Sequence, residues 1–446
     1  MHDEVDQFGD PSQDDPRVGT LGISYGGGMQ YALASVDPRV DALVPMETFN
    51  DLEYSLYPNA AEQTDGVQSP VAGVAKSTWG LGLVATGQLA SSITGLTADP
   101  YRTLQCQYMR GSTCADMIAA NLRGYADDDL RAYYERISPH ASIPNIAAPV
   151  LLIQGEYDTL FSLNEALASY RQLEAQGNTV RLVWASLGHN GGSLDDFSST
   201  AASLDQPVNA RIMSWFGHWL KDDGSDLGSA FTYTEPWADT LTTSAADDPD
   251  AFARQTFFLG ASGTLATSPV AADAANRTQT LVTNAGALPT TVGHLDILPL
   301  EPTDDVYSDY SLPGTQATWT SDPLTSDVDV VGVPTATLTV STPLAAWRAQ
   351  PGNTGNEVTL YLKIYDVAPD GTRGVVGSLS TPIRIDDTRQ QVQVNLQGII
   401  HRFAAGHSIA FAVAGGDLNF RGGTTPATVT IDAGVDGQTL SLPVAG

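Results

Sequence analysis

Residues 17–35 leave a chain little freedom, because they read as a strand, a sharp turn and a helix in immediate succession. Arg17-Val18-Gly19-Thr20-Leu21-Gly22-Ile23 is a short apolar-rich strand, Gly26-Gly27-Gly28 lets the backbone bend tightly, and residues 29–35 have helical character. Residues 40–44 follow as a second candidate for a buried strand. Farther along, Pro149-Val150-Leu151-Leu152-Ile153-Gln154-Gly155 is apolar without alternation, the pattern of a strand buried on both faces of a parallel sheet. Ser162, with Glu165 three residues on, is a capping-box signature for a helix running to about Ala175, which Gly177 ends. Residues 180–184 form the next strand. Val208, Ile212, Trp215, Phe216 and Trp219 then sit at helical spacing, an amphipathic helix whose aromatic residues are read as core.

These stretches make residues 1–51 and 149–222 two parts of one α/β sheet domain. Residues 52–148, helical and broken by Gly, Pro and Ser clusters, read as a cap inserted over that scaffold. Residues 223–253, rich in Asp, Ser, Thr and Ala, read as a linker. Residues 254–446 change style to short strands at 256–259, 336–340, 358–365, 391–396 and 409–413, with Pro369-Asp370-Gly371 as a turn in which Pro fixes φ and Gly accepts positive φ. Many short strands without helices predict a β-sandwich, a jelly roll. A length of 446 residues, more than one core usually holds, agrees with several domains.

Composition narrows the function. A net charge of −30 argues against nucleic acid and anionic membrane surfaces as partners. No run of 18 apolar residues is present, and the acidic start Met1-His2-Asp3-Glu4-Val5-Asp6 is not a secretory signal. The acids are spread along the chain, as in an acidic, soluble protein, extracellular or salt-adapted; an extracellular place is favoured over a cytoplasmic one. Cys106 and Cys114 are too few for a zinc site, and a disulfide or two free thiols are both open. No cofactor or metal is called for.

Gly22-Ile23-Ser24-Tyr25-Gly26 is a G-x-S-x-G sequence, weak alone in a chain with 42 glycines. Its context raises it, because a strand enters Ser24 and a helix leaves it. Glycine on both sides tightens the turn until the hydroxyl projects above the sheet, and the positive end of the helix favours an oxyanion there. The Tyr25 backbone N–H is the expected oxyanion donor. A serine needs a base, and His189, in Leu187-Gly188-His189-Asn190-Gly191-Gly192, lies just past a strand, at the sheet edge where such sites gather. His218 lies in a helix, His294, His401 and His407 in β-type regions, His2 at the start, and His140 before a strand rather than after one. The orienting acid is Asp158, in Gly155-Glu156-Tyr157-Asp158-Thr159-Leu160-Phe161, with Glu156 as its rival; the order is Ser, Asp, His. Tyr54, Tyr57 and Trp79 of the cap are candidates for shaping a pocket, and equally for packing.

With these residues in hand, the chain resembles the family of X-prolyl dipeptidyl peptidases, cocaine esterase-like hydrolases and α-amino acid ester hydrolases. The likeness is carried by RVGTLGISYGGG (17–28), PVLLIQGEYDTLF (149–161), the Gly188-His189 turn, and VTLYLKIYDVAPDGT (358–372) with LQGIIHRFAAG (396–406) in the closing β module. It implies an α/β-hydrolase fold with a helical cap and a jelly roll, and a serine hydrolase with Ser24 as nucleophile, Asp158 as acid and His189 as base. In this family a first stretch of roughly a hundred residues precedes the nucleophile strand and supplies early strands and a second oxyanion donor. Here Ser24 comes almost at the start. The chain is therefore expected to be truncated at its N-terminus, with strand 17–23 as an exposed edge; a fragment completed by another chain, or a non-catalytic homologue, is the alternative. The expected reaction is acyl transfer from an ester, amide or short peptide to water, an ester being favoured over a peptide. The rival reading is a binding module that acts through its jelly roll. The oligomeric state is left open, a homo-oligomer included.

Overall fold

Apolar runs without alternation can be satisfied only where both faces of a strand are covered, and the strands at 40–46 and 150–155 do lie inside a sheet. The computed structural model describes residues 16–445 except 65, 94–110, 190–206, 239–242, 270–276, 284–288, 298–305, 344–353, 355–356, 378–379, 424–425 and 435–436. His2, Cys106 and Asn190-Gly191-Gly192 lie outside the described residues. Two compact units emerge, one of Met1–Leu52, Arg136–Ala251 and Leu300–Asp304, the other of Glu53–Glu135, Phe252–Pro299 and Asp305–Gly446.

The first unit holds a six-stranded sheet. In order across it run β1 (Val18–Ile23), β2 (Val40–Met46), β3 (Val150–Gly155), β4 (Val180–Ala185), β5 (Phe231–Thr234) and β6 (Thr243–Ala246). The first five are parallel and β6 returns antiparallel. Every residue of β3 is buried, as its lack of alternation requires. The helix Pro207–Phe216 sets Val208, Ile212 and Trp215 in one core cluster with Val44, Met46, Ile153 and Val183. The aromatic stripe is core.

Three expectations need correction. Residues 223–253 are more than a linker: they carry β5 and β6, and Phe231 is buried edge-on against Trp184 at 5.0 Å. Two alternate apolar residues anchor a strand of four, too little to stand out in an Asp- and Ser-rich stretch. The capping box at Ser162 does not form, because the Ser162 side chain makes no cap hydrogen bond. Glu165 instead accepts the backbone N–H groups of Asn50 and Asp51 at 2.8 and 3.0 Å, tying the helix Leu163–Ala175 to the loop after β2. Finally, the stretch expected as a separate cap divides at Arg136. Residues 139–146 form 3-10 turns whose carbonyls accept from Gln176 and Asn178 of the first unit. Residues 53–135 share the second unit with the C-terminal strands.

In that second unit two antiparallel sheets enclose a shared apolar core, a jelly-roll sandwich. One sheet is built around Val358–Val367 and Ser408–Ala414, the other around Thr335–Ser341 and Thr439–Ala445. The chain at 60–61 joins this core, the Ala60 N–H donating to the Pro382 carbonyl at 3.0 Å. The buried Arg384 guanidinium donates to the carbonyls of Ala72 and Gly73. Helices span Ser77–Ile93, Gly111–Arg123 and Asp128–Ile137. Buried Cys114 is disulfide-bonded. Pro369-Asp370-Gly371 turns as expected, with Gly371 at φ 86° and the Ala368 N–H on the Thr372 carbonyl at 2.8 Å.

Among the described residues β1 is the sheet's edge and pairs with β2 alone. Leu21 and Ile23 on this strand, Met29 and Leu33 on its helix and Val36 just past it are 41–80% exposed. No helix among the described residues is long and apolar enough to cross a membrane.

Candidate active site

The register of the sheet brings the sequence candidates to one edge. Ile23 lies beside Met46, Met46 beside Ile153, and Gly155 beside Ala185, so Ser24, Glu47 and the loops after β3 and β4 all start at the same level.

Ser24 joins β1 to the helix Tyr25–Ala34 with φ 60° and ψ −126°, a conformation that a residue with a side chain adopts only when its surroundings over-determine it. Its N–H donates to the Met46 carbonyl at 2.9 Å. Its carbonyl accepts from Gly27 N–H at 2.9 Å, Gly28 N–H at 3.2 Å and the Thr48 hydroxyl at 2.8 Å. Tyr25 is the first residue of that helix, where backbone N–H groups lack helical partners. The glycines are not equivalent. A Cβ at Gly22 would stand 2.7 Å from the Gly26 carbonyl oxygen, and one at Gly27 would stand 2.7 Å from the Thr48 Cβ. A Cβ at Gly26 would meet nothing within 4 Å, so the second glycine of G-x-S-x-G, expected to be needed for the turn, is not required by space.

His189 and Asp158 meet directly. Nδ1 of His189 is 2.7 Å from Oδ2 of Asp158. The other oxygen of the buried Asp158 accepts the N–H groups of Leu160 at 2.9 Å and Phe161 at 2.8 Å. Gln154 Nε2 adds a bond of 3.2 Å to Oδ2, while Gln154 Oε1 accepts from Thr48 N–H. Burial works to raise the Asp158 carboxyl, but the charge and hydrogen bond of His189 outweigh it, and the group is held below the usual carboxylate range. Burial works to lower the His189 imidazole; the Asp158 charge and hydrogen bond outweigh it in turn and raise it above 6.5. The Phe161 ring meets the imidazole edge-on at 5.1 Å. Glu156, the rival acid, accepts from the Ser186 hydroxyl at 2.6 Å.

Two glycines permit this approach of acid loop and histidine loop. A Cβ at Gly188 would fall 2.4 Å from the Tyr157 carbonyl carbon, and one at Gly155 would fall 2.0 Å from the Leu187 oxygen. Gly188→Ala is therefore expected to push His189 from Asp158 and lower hydrolytic turnover at least about 100-fold, while Gly26→Ala stays within about three-fold. Ester turnover and thermal melting of the two variants check this contrast.

Sequence reasoning missed Glu47. Glu47, Asp158 and His189 each bring one ligand-type atom within 4.8 Å of the others. Two atoms bound to one tetrahedral zinc at about 2.0–2.1 Å stand roughly 3.3 Å apart; the 2.7 Å contact of Asp158 and His189 is a hydrogen bond, not a pair of ligands. The pocket candidates are buried within the second unit: Tyr54, Tyr57 and Trp79 are 5%, 2% and 7% exposed. The Tyr54 hydroxyl accepts from Gln397 at 3.3 Å, and the Tyr57 ring packs 5.9 Å from that of Tyr134.

Residues 9–191 match the X-Pro dipeptidyl-peptidase (S15 family) and residues 238–433 match the X-Pro dipeptidyl-peptidase C-terminal non-catalytic domain. The chain belongs to the X-Pro dipeptidyl-peptidase (S15) family. Both characteristic domains of that family are thus present in order, and this family member is a hydrolase of the α/β type with a C-terminal β-sandwich. No curated protein sequence matches it. Among solved structures, an aminopeptidase from a marine sediment Thaumarchaeota archaeon aligns with 100% of this chain and 79% of its own, at TM-score 0.64 and 16% identity. An α-amino acid ester hydrolase aligns with 100% and 79%, at 0.63 and 15%. A CocE/NonD family hydrolase from Staphylococcus aureus aligns with 100% and 74%, at 0.61 and 14%. At these identities the likeness is one of fold.

Proposed function

We propose that this S15 family member is a serine hydrolase that cleaves a small ester, or an X-Pro peptide, through an acyl-enzyme. The observation that carries the reading is the 2.7 Å bond from His189 to a buried Asp158, at the sheet edge where Ser24 sits in a strained strand-to-helix turn. Asp158 fixes the proton of His189 on Nδ1, which leaves Nε2 as the base. His189 takes the Ser24 proton as Oγ attacks the carbonyl. The Tyr25 N–H, at the positive end of its helix, stabilises the oxyanion. His189 then passes the proton to the leaving group, and water, activated by the same imidazole, releases the acid. An ester is favoured because, among the described residues, the carboxyl group that faces Asp158 and His189, Glu47, is buried rather than open to a substrate amine. Tyr54, Tyr57 and Trp79, closed in by packing, are weak candidates for pocket residues.

A chromogenic nitrophenyl ester should give a burst of nitrophenol followed by a slower steady rate, the mark of an accumulating acyl-enzyme. Faster turnover of an X-Pro nitroanilide than of any small ester would reverse the substrate preference. The base must be neutral to act, and its pKa is raised by Asp158. The kcat/KM profile should therefore rise with pH through a midpoint above about 6.5. Asp158→Asn removes the charge and leaves the burial, so its midpoint should fall; a stopped-rate profile of both proteins decides it.

A further inference from the structure

We propose that Glu47 is a positioning residue of this triad: a carboxylic acid that keeps its proton and shares it with Asp158, holding Asp158 as the anion that faces His189. The inference rests on the triad reading above.

Glu47 stands one residue past β2, and its N–H donates to the Ile153 carbonyl at 2.9 Å. It takes φ 46°, the left-handed region that a glutamate enters only at a cost. The side chain is thereby turned inward and is 4% exposed. One carboxylate oxygen lies where a Cβ on Gly155 would come within 2.7 Å of it, so the glycine makes room for this carboxyl group as well as for the histidine loop. Among the described residues, no donor meets either oxygen of Glu47 at full hydrogen-bonding geometry; the backbone N–H of Gly155 works to lower the carboxyl, but less than burial and Asp158 raise it. The titratable groups that face it are Asp158, from the loop after β3, and His189, from the loop after β4.

A buried carboxylate without a cation or donors is strongly disfavoured, and two carboxylates in one dry site cannot both ionise. One proton must reside on the pair. Asp158 already accepts from Leu160, Phe161, Gln154 and His189, and each of these bonds favours its anion. Glu47 has no such set, so the proton belongs to Glu47. In keeping with this, burial, followed by the Asp158 charge, pushes the Glu47 carboxyl well above the usual range, while Asp158 is held low. At rest the order is then Glu47 O–H, Asp158 carboxylate, His189 Nδ1–H. When His189 receives the Ser24 proton, Glu47 keeps its own and no further transfer is needed. Its donated bond lowers the basicity of Asp158, which keeps the Nδ1 proton on His189, and fixes the plane of the carboxylate.

The test uses the full chain with Glu47→Gln, Glu47→Ala and Asp158→Asn. An infrared difference spectrum of wild type against E47Q at neutral pH should show the C=O stretch of a protonated carboxylic acid; a carboxylate pair of bands in its place overturns the proposal. In the kcat/KM profile E47Q should keep the acid-limb midpoint of the wild type. A midpoint lowered by one pH unit or more would mean that Glu47 had been an anion, and would overturn the proposal too. E47A should lose about 10- to 100-fold in kcat/KM, and E47Q, which still offers an N–H donor, no more than about three-fold. If E47Q does not fold, the acid band is followed in wild type and D158N: loss of the neighbouring charge should move its disappearance to lower pH, and an unmoved titration contradicts the shared proton. The infrared readout needs no turnover. If the band is present but a fluorophosphonate does not modify Ser24, the triad reading has failed and not the protonation of Glu47.

Discussion

Ser24→Ala is expected to lower kcat/KM on a chromogenic ester by about six orders of magnitude, with His189→Ala equally severe and Asp158→Ala costing about four. In the proposed mechanism the three groups work as one unit. Without the imidazole the hydroxyl keeps its proton, and without the hydroxyl the imidazole has nothing to activate. On the same proposal the 2.7 Å bond to Asp158 sets the tautomer that makes the base available. A triple variant should therefore be no slower than S24A by itself, retaining what the Tyr25 N–H and binding supply. Losses that multiply across the three positions would show that they act separately. Each measurement needs thermal melting alongside it, because Asp158 also ties down its loop through Leu160 and Phe161.

The second large effect concerns stability. In the second unit the Lys363 ammonium is buried at 2.8 Å from both Asp309 and Asp417. The Tyr365 hydroxyl donates to Asp309 at 2.8 Å and the Ser380 hydroxyl to Asp417 at 2.7 Å. Burial works to lower the Lys363 amine, but the charges of Asp417 and then its other neighbours overcome it and hold it well above the ordinary lysine range. Lys363→Met removes the ammonium that bridges two buried carboxylates and leaves Asp309 the more distant Arg373 guanidinium at 3.9 Å, at a cost of about 3–5 kcal/mol. The sign of the pH dependence follows. Like charges left unpaired in a dry site cost most where carboxylates are ionised, so the penalty should be full at neutral pH and shrink as acid neutralises them. Urea unfolding of wild type and K363M at neutral and mildly acidic pH checks this, and a deficit that does not narrow in acid contradicts it.

How legible the fold was depended on how the chain hides its apolar residues. β3 announced itself because Val150, Leu151, Leu152 and Ile153 are all buried and all apolar. The jelly roll was legible from style, since turn residues such as Pro369-Asp370-Gly371 punctuate its strands. β5 escaped because Phe231 and Tyr233 alone carry it. The pattern of Ser162 and Glu165 was a true helix start, yet Glu165 spends its carboxylate on a distant loop, a tertiary contact that no local spacing encodes. Of the site, Ser24, Asp158 and His189 could be found because each follows a recognisable strand. Glu47 also follows one, and the register that sets Met46 beside Ile153 was the signal that could have found it. A single glutamate after Pro45-Met46 has no motif, and its meaning depends on burial. The roles of the glycines were partly misread as well: Gly155 and Gly188, outside the motif, are more constrained by contact than Gly26 within it.

The central claim is that Ser24 is a nucleophile activated by His189. Incubating the folded chain with a fluorophosphonate and mapping the modified peptide by mass tests it most directly. The expected result is one adduct, on Ser24, absent from S24A and slowed at least about a thousand-fold in H189A. A folded chain that stays unmodified at Ser24, or one that S24A leaves equally modified, would contradict the claim.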